Sequence, residues 1–519
     1  MRRFLLIFTI LLVSVGAARA EWLDVARRGA KTDGQTLVTA IIQQAIDEAA
    51  ETGGGTVYFP AGTYLTGALH MRSNTTLHLD AGAVLRFSDN PDHYLPFVQL
   101  RWEGTVMNSF SPLIHAHEVE NITIEGRGVL DGQGANWWKA EYDIRGAFAD
   151  RVENDPVNRY QQMWLDANPG LTVSDYYQGS IRRRFFRPPF FQAFKSTNIR
   201  ICGVKFINSP FWTINPAFCQ NVTIDGITID NPPSPNTDGI NPTSCKDVHI
   251  SNCHISVGDD CITIKSGRDA DGRHWNTPCE NITITNCTML SGHGGVVIGS
   301  EVSGSVRKVT ISNCVFDGTD RGIRLKSSRE RGGIVEEIRV SNIVMKNIKR
   351  TAFIFNLFYD RNIPEGPVTE KTPIFRNIHI SGVTGTQVNE AGLVLGIPEM
   401  PVSNLTFSNI NLEAKTGFSI TTARGIEFHD VTVDTRQGAS FKVEDAVDLV
   451  FDNVKSNTPL VGTPVVSLKN TERVYLYNCM PFVAPDVFLR AEGGQNSGVV
   501  LMNSLNCPVD DPANAVDIK

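Results

Sequence analysis

Eleven short segments of this chain share one pattern. They start at Asn198, Asn221, Asp247, Asn281, Lys308, Glu337, Asn377, Asn404, Gly425, Asp448 and Arg473. In each, the second and fourth positions are apolar, from Ile199 and Ile201 in the first to Val474 and Leu476 in the last. Such alternation reads as a short strand with one buried face. The sixth position holds only Gly, Asn or Asp: Gly203, Gly226, Asn252, Asn286, Asn313, Asn342, Gly382, Asn409, Asp430, Asn453 and Asn478. These residues tolerate left-handed backbone, so the column marks a tight bend after each strand. The seventh position is apolar again, as in Val204, Ile227 and Ile343. No helix-length amphipathic segment separates the repeats, which argues against a βαβ sheet. An antiparallel sandwich would not need the Asn/Gly column in register. The expected fold is all-β, a single-stranded right-handed parallel β-helix, its hand set by the crossover rule.

A solenoid needs its open apolar end closed. Residues 22–70 are expected to do this, with a helix over Thr36–Ala50 that starts on a Thr36 N-cap and turns Ile41, Ile42, Ala45 and Ile46 inward. Ahead of it, residues 1–20 read as an export signal. Arg2 and Arg3 precede an apolar run from Phe4 to Val15, and Ala18-Arg19-Ala20 fits a cleavage site. The run is too short to span a bilayer, and no later run approaches that length. The expectation is an exported protein, periplasmic or extracellular, with residues 21–519 as one β-helix unit.

Ten cysteines in an exported chain would ordinarily suggest disulfides. However, Cys253, Cys287, Cys314 and Cys479 fill the slot that Val or Ile fills in other repeats, so they read as buried free thiols. Cys202, Cys219, Cys245, Cys261, Cys279 and Cys507 stay open to pairing. No Cys/His set has zinc spacing. The net charge is −7, and −10 once Arg2, Arg3 and Arg19 are removed. That disfavours nucleic acid as a partner. It also means that an acidic ligand needs a local basic patch, for which Arg324, Lys326, Lys265 and Arg268 are candidates. No membrane partner is expected, and a monomer is.

Two stretches break the repeat. Residues 136–186 carry Trp137, Trp138, Tyr142, Tyr160, Trp164, Tyr176 and Tyr177 and end in Arg182, Arg183 and Arg184. This insert either packs on the solenoid wall or forms one side of a sugar cleft. A second break, near 351–375, contains Phe353, Phe355, Phe358 and Tyr359.

Four polar clusters interrupt consecutive repeats: Asn236-Thr237-Asp238, Gly258-Asp259-Asp260, Gly292-His293-Gly294 and Arg324-Leu325-Lys326. Taken singly, Asn-x-Asp-Gly and Gly-Asp-Asp are ordinary turns and a lone His is ordinarily structural. Together they are one coil apart, about 4.8 Å per step, so the set covers roughly 15 Å of one face. Adjacent Asp259 and Asp260 reach the same groove only where the backbone is irregular, which Gly258 permits. Three clustered carboxylates repel, so one is expected to keep its proton and give an acid beside a base. Glycoside hydrolysis uses such a pair, and an inverting reaction leaves about 6.5–9.5 Å between them for water. Arg324 and Lys326 suit a uronate carboxylate.

These four clusters resemble the signature motifs of family 28 glycoside hydrolases, the polygalacturonase-like pectinases, and they occur in the family's order. The resemblance covers most of 22–500, including the turn Asp131-Gly132-Gln133-Gly134. It implies a right-handed β-helix and inverting, metal-independent hydrolysis of α-1,4-galacturonosidic bonds in a pectic substrate, with no cofactor. By the motif, Asp259 would be the general acid. Asp238 and Asp260 would activate water, and His293 would support the acid. Arg324 and Lys326 would bind the uronate, with Asn236 and Lys265 also lining the substrate. Tyr359 lies where the family often has a subsite tyrosine. Leu325 replaces the Ile of many members. Ile262–Gly272 and Arg324–Gly333 look more like exo-acting members than endo-acting ones. Three alternatives stay open: a rhamnogalacturonan or xylogalacturonan hydrolase of the same family, a Ca-dependent pectate lyase, and a non-catalytic carbohydrate-binding solenoid.

Overall fold

The computed structural model describes residues 22–147, 158–171, 186–359 and 363–519, the side chains of 144–147 excepted. Residues 1–20, expected above to be an export signal, together with Tyr176, Tyr177 and Arg182–Arg184, lie outside the described residues. The chain winds as a right-handed parallel β-helix, and the repeat columns stack in register. Ile199 pairs with Val222, Val222 with Val248, Val248 with Ile282, Ile282 with Val309, Val309 with Ile338, and Ile338 with Ile378. The stack also extends beyond the eleven segments. Val57, Leu77 and Ile124 lead into the neighbouring Ile201 column from the N-terminal side, and Val499 follows Val474.

The sixth-position column is left-handed throughout, from Gly203 (φ 74°) to Asn478 (φ 56°). So is the first-position column, which the strand pattern alone does not mark. It includes Lys308 (φ 56°), Glu337 (φ 56°) and Arg473 (φ 54°), residues with no intrinsic preference for that region. Each strand is therefore bracketed by two left-handed bends. At several bends an Asn amide bonds a side chain one coil away, as Asn221 Nδ2 does to Asn198 Oδ1 (2.7 Å), Asn342 Nδ2 to Asn313 Oδ1 (2.7 Å) and Asn281 Nδ2 to Asp247 Oδ1 (2.9 Å). Side-chain ladders of this kind offset the backbone cost at the turn.

Inward side chains form one continuous core along the axis. Aromatic stacks run through its C-terminal half: Phe407, Phe428 and Phe451 are nearly parallel at centroid spacings of 5.0 and 5.4 Å. Burying each such side chain contributes about 1.5–3 kcal/mol. All ten cysteines are free, including the six left open by the sequence. Cys253, Cys287 and Cys314 sit in the core, as their column predicts.

The capping helix runs over Thr39–Glu51, later than expected, and buries Ile42, Ala45, Ile46 and Ala49. Thr36 is not its N-cap. It belongs to the strand Asp33–Leu37, which pairs with Gly62–Thr66, and its hydroxyl donates to Asp33 (2.8 Å). The second repeat break also starts later than expected. Thr351–Asn356 is a regular strand paired with Arg321–Lys326, with Phe353 and Phe355 in the core. In the first insert, Trp137 and Trp164 are fully buried, so those two rings pack on the solenoid wall. Trp164 stacks on Phe186 at 4.6 Å, in a small second core shared with Leu100, Trp102, Met107, Phe211 and Trp212. This core anchors an antiparallel hairpin, Val98–Trp102 with Thr105–Ser109, against the helix wall.

Candidate active site

One column of strands carries the polar clusters. Asp260–Ile264 pairs with Gly294–Gly299, then Arg321–Lys326, then Thr351–Asn356. Ahead of it, single bridges join Ile214 to Ile240 and Ile240 to Ile262. Asp238 and Asp260 each stand two residues before a bridged isoleucine, so they occupy the same slot on adjacent coils. The result is a groove of about 340 Å³ that every nominated site residue lines: Asn236, Asp238, Asp259, Asp260, Lys265, His293, Arg324, Lys326 and Tyr359. Seven Lys and Arg side chains face six carboxyl groups there, so the local balance is basic although the chain is acidic.

Asp259 and Asp260 both reach the groove because Asp259 precedes the strand, which starts at Asp260. Gly258 makes this possible by close approach rather than by a left-handed bend. A Cβ there would lie 2.3 Å from the Ser234 carbonyl. Carboxylate oxygens of Asp238, Asp259 and Asp260 all lie within 4.8 Å of one another. That is tighter than the gap of about 6.5–9.5 Å expected for an inverting pair. The cause is the slot equivalence: two of the acids are one coil apart and the third is a chain neighbour.

The three acids differ in exposure. Asp238 is 3 % and Asp260 1 % exposed, whereas the Asp259 side chain is 19 % exposed. Asp260 Oδ2 accepts from Lys326 Nζ at 2.8 Å, and its Oδ1 lies 3.5 Å from Arg324. Burial pushes the Asp260 carboxyl up, but Lys326, Arg324 and Lys265 outweigh it and hold the group at about 2. Asp238 goes the other way: burial and the charge of Asp259 raise it well above the usual carboxylate range. Its Oδ1 has no hydrogen-bond partner among the described residues. The cluster thus holds a proton beside a firmly ionised carboxylate. His293 Nδ1 lies 3.0 Å from Asp259 Oδ1, and this contact raises the imidazole above its ordinary value despite partial burial.

The cations are less free than the sequence suggests. Lys265 is buried, and its ammonium is committed to Glu301 (2.9 Å) and the Gly299 carbonyl (3.2 Å) while lying 4.6 Å from the Trp212 ring. It acts as a fixed charge behind Asp238 rather than as an open hand toward a ligand. Arg268 pairs with Glu103 at 3.3 Å, delivered by the hairpin turn. Asn236 accepts from the buried Arg187 guanidinium (2.9 Å). The Tyr359 ring lies 5.0 Å from Lys326 Nζ and 5.2 Å from the Arg324 guanidinium.

Sequence reasoning missed Trp212, Glu103, Glu301, Arg321, Arg331 and Arg350, which also line the groove. Glu301 had a signal. Strand register puts Lys265 beside Gly299, so a carboxylate two residues on is within its reach. Glu103 had none, because it comes from a hairpin far away in the chain.

Three carboxylates this close could in principle ligate a cation. Here both oxygens of Asp260 already face Lys326 and Arg324, and Lys265 adds a third positive charge nearby. An incoming metal ion would have to displace ion pairs in a buried site, so this donor set fits a metal poorly.

Residues 178–426 match the family model for glycosyl hydrolases family 28, and residues 22–90 match one described as rhamnogalacturonase A/epimerase, pectate lyase-like. A probable polygalacturonase of Vitis vinifera is 30% identical over 406 residues, covering 76% of this chain and 75% of that protein. An exo-poly-alpha-D-galacturonosidase of Dickeya chrysanthemi is 28% identical, covering 80% of this chain and 72% of its own. Among solved structures, a hyperthermoactive exopolygalacturonase from Thermotoga maritima superposes with TM-score 0.66 at 32% identity, over 80% of this chain and 93% of the other. The chain belongs to family 28 of the glycosyl hydrolases and is a glycoside hydrolase of the polygalacturonase type.

Proposed function

We propose that this protein is an exported, exo-acting hydrolase of the α-1,4-galacturonosidic bonds of polygalacturonate or its oligosaccharides, working with inversion. The observation that carries this reading is the triad itself: one accessible carboxyl, two buried ones, and a buried oxygen of Asp238 with no partner among the described residues, all within a basic groove. Asp259 is the acid because it alone is exposed enough to meet a leaving-group oxygen. Oxygens of Asp238 and Asp259 lie within 4.8 Å, a gap that one water bridges, so the cluster's proton passes to Asp259, which delivers it as the glycosidic bond breaks. With the proton on Asp259, Asp238 is ionised; the attacking water sits against Asp238 and Asp260, which activate it together, and its proton passes to Asp238, restoring the cluster's single proton. A retaining route would need one of them to bond the anomeric carbon, and their burial opposes that, whereas a water molecule can bridge the distance. Arg324, Lys326 and the Tyr359 ring face the substrate's carboxylate and ring. His293 orients Asp259 and favours its charged form once the proton has left.

Exo action is supported by the flank of the groove beyond the strand ends. There Glu103, on its hairpin turn, meets Arg268, and a Cβ on the neighbouring Gly104 would lie 3.2 Å from Glu301, so the hairpin turn closes that flank of the groove. The names of the relatives from Dickeya and Thermotoga support the same mode, and the leader at residues 1–20 supports export. The test is incubation of purified 21–519 with polygalacturonate, following product size and the anomer released by proton NMR. Early monomer of inverted configuration is expected. A ladder of oligomers would refute the exo mode, and retained configuration would refute the water-attack geometry. No reducing ends from polygalacturonate would refute the substrate.

A further inference from the structure

The catalytic groove does not use all the basic charge on its side of the solenoid. A second cavity, about 430 Å³, lies farther toward the C-terminal coils and is lined by Lys349, Lys415 and Arg436 with Glu413, Gln387 and Asn389. Its three cations are exposed, and none has an acidic partner within ion-pair distance among the described residues, where many surface cations do. They stand on the first, third and fourth of four successive coils, with Gln387 and Asn389 on the second. Asn389 N donates to the Ile348 carbonyl (3.0 Å), the Thr416 hydroxyl to the Asn389 carbonyl (3.3 Å), and Gly417 packs against the Ala439 carbonyl. Three coil steps therefore separate Lys349 from Arg436, about 14 Å. The row continues from the groove, since Arg350, next to Lys349, lines the catalytic cavity and its backbone carbonyl accepts from Glu390 N on the next coil (2.8 Å).

We propose that this cavity is an exosite for the anionic polymer, holding carboxylates of galacturonate units that lie outside the catalytic groove. This rests on the substrate reading above. No aromatic ring lines the cavity, so it offers no stacking platform for neutral sugars and selects by charge. Exposed cations spread over four coils give several separate contacts to a ligand that carries one carboxylate per repeating unit. Such contacts are individually weak and salt-sensitive, so they act on long chains and not on short oligomers.

The test uses the triple variant Lys349→Ala/Lys415→Ala/Arg436→Ala of the full mature chain. KM for long polygalacturonate is expected to rise about fivefold, with kcat and the KM for digalacturonate unchanged. Binding is read separately in the inactive Asp259→Asn background, by retardation in native gels containing polygalacturonate. Retardation that survives saturating digalacturonate is expected, and the triple variant should abolish it, as should 0.5 M salt. The exosite is refuted if digalacturonate removes all retardation, if the triple variant keeps the residual part, or if the polymer and dimer KM values move together. Absence of wild-type turnover on polygalacturonate would instead overturn the substrate reading, and the gel assay tests the exosite independently of it.

Discussion

Lys326→Met removes the closest cation from Asp260 and keeps most of the apolar stem. In the folded protein Asp260 sits at about 2 against an ordinary 3.8, the net result of burial pushing up and Lys326, Arg324 and Lys265 pulling down. That difference corresponds to roughly 2 kcal/mol in favour of the charged form. The group's folded pKa is depressed, so its contribution is fully present above the unfolded value and is lost as pH falls through the folded one. The linkage relation leaves nearly all of it at pH 7 and roughly half at pH 3. Breaking the 2.8 Å pair leaves a buried carboxylate facing only Arg324 at 3.5 Å and the more distant Lys265, and such losses run to about 3–5 kcal/mol. Guanidinium unfolding at pH 7, 5 and 3, at fixed ionic strength, should show the variant about 3 kcal/mol less stable at pH 7. The deficit should shrink by about 1 kcal/mol at pH 3, because the wild type is losing what the variant never had. An equal deficit at all three pH values would mean that packing, not charge, links these residues. No deficit at pH 7 would show that Arg324 alone suffices.

Asp259→Asn should lower kcat by at least two to four orders of magnitude with the unfolding midpoint unchanged, the scale expected for a lost general acid; near-normal turnover would move the acid role to Asp238. His293→Ala should destabilise the fold more at pH 5 than at pH 8, by less than about 1 kcal/mol given the imidazole's exposure, because a raised folded pKa stabilises below the unfolded value and is lost as pH rises through the folded one. Gly292→Ala would bring a Cβ within 2.5 Å of the Asp259 carbonyl, so kcat should fall at least about tenfold by displacing the acid. Gly494→Ala, with open space around it, is the control and should be silent in the same assay. Turnover in excess EDTA should match that without it; a loss restored by Ca²⁺ would favour the metal-dependent alternative.

The solenoid was legible because its rule repeats. Two apolar positions and one bend column, seen eleven times, define the strand, its inward face and its stacking, and the register of Ile199 with Val222 and Val248 follows. The first-position bend carried the same Asn, Asp or Gly signal in eight of eleven repeats, but Lys308, Glu337 and Arg473 break the column, because they take the left-handed conformation under tertiary constraint and not by preference. The helix start at Thr39 was missed for a related reason. A local cap signal at Thr36 lost to strand pairing with Gly62–Thr66, which only the fold reveals.

The same distinction explains the site. Spacing in the chain brings Asp238, Asp259, Asp260, His293, Arg324 and Lys326 together, because equal slots on adjacent coils must face one groove. What spacing cannot assign is which charges cancel. Lys265 reads as an open cation until Glu301 is placed against it, and Arg268 does so until a hairpin from the N-terminal third brings Glu103. After these pairings, Arg324 and Lys326 are the cations that contact Asp260 directly. They hold it ionised while Asp238, deprived of water and beside Asp259, resists ionisation. Two identical side chains in equivalent slots thereby acquire opposite protonation preferences. The division of labour among the acids comes from the neighbours that long-range contacts supply, so replacing Lys326 should alter the protonation balance of all three carboxyls and not of Asp260 alone.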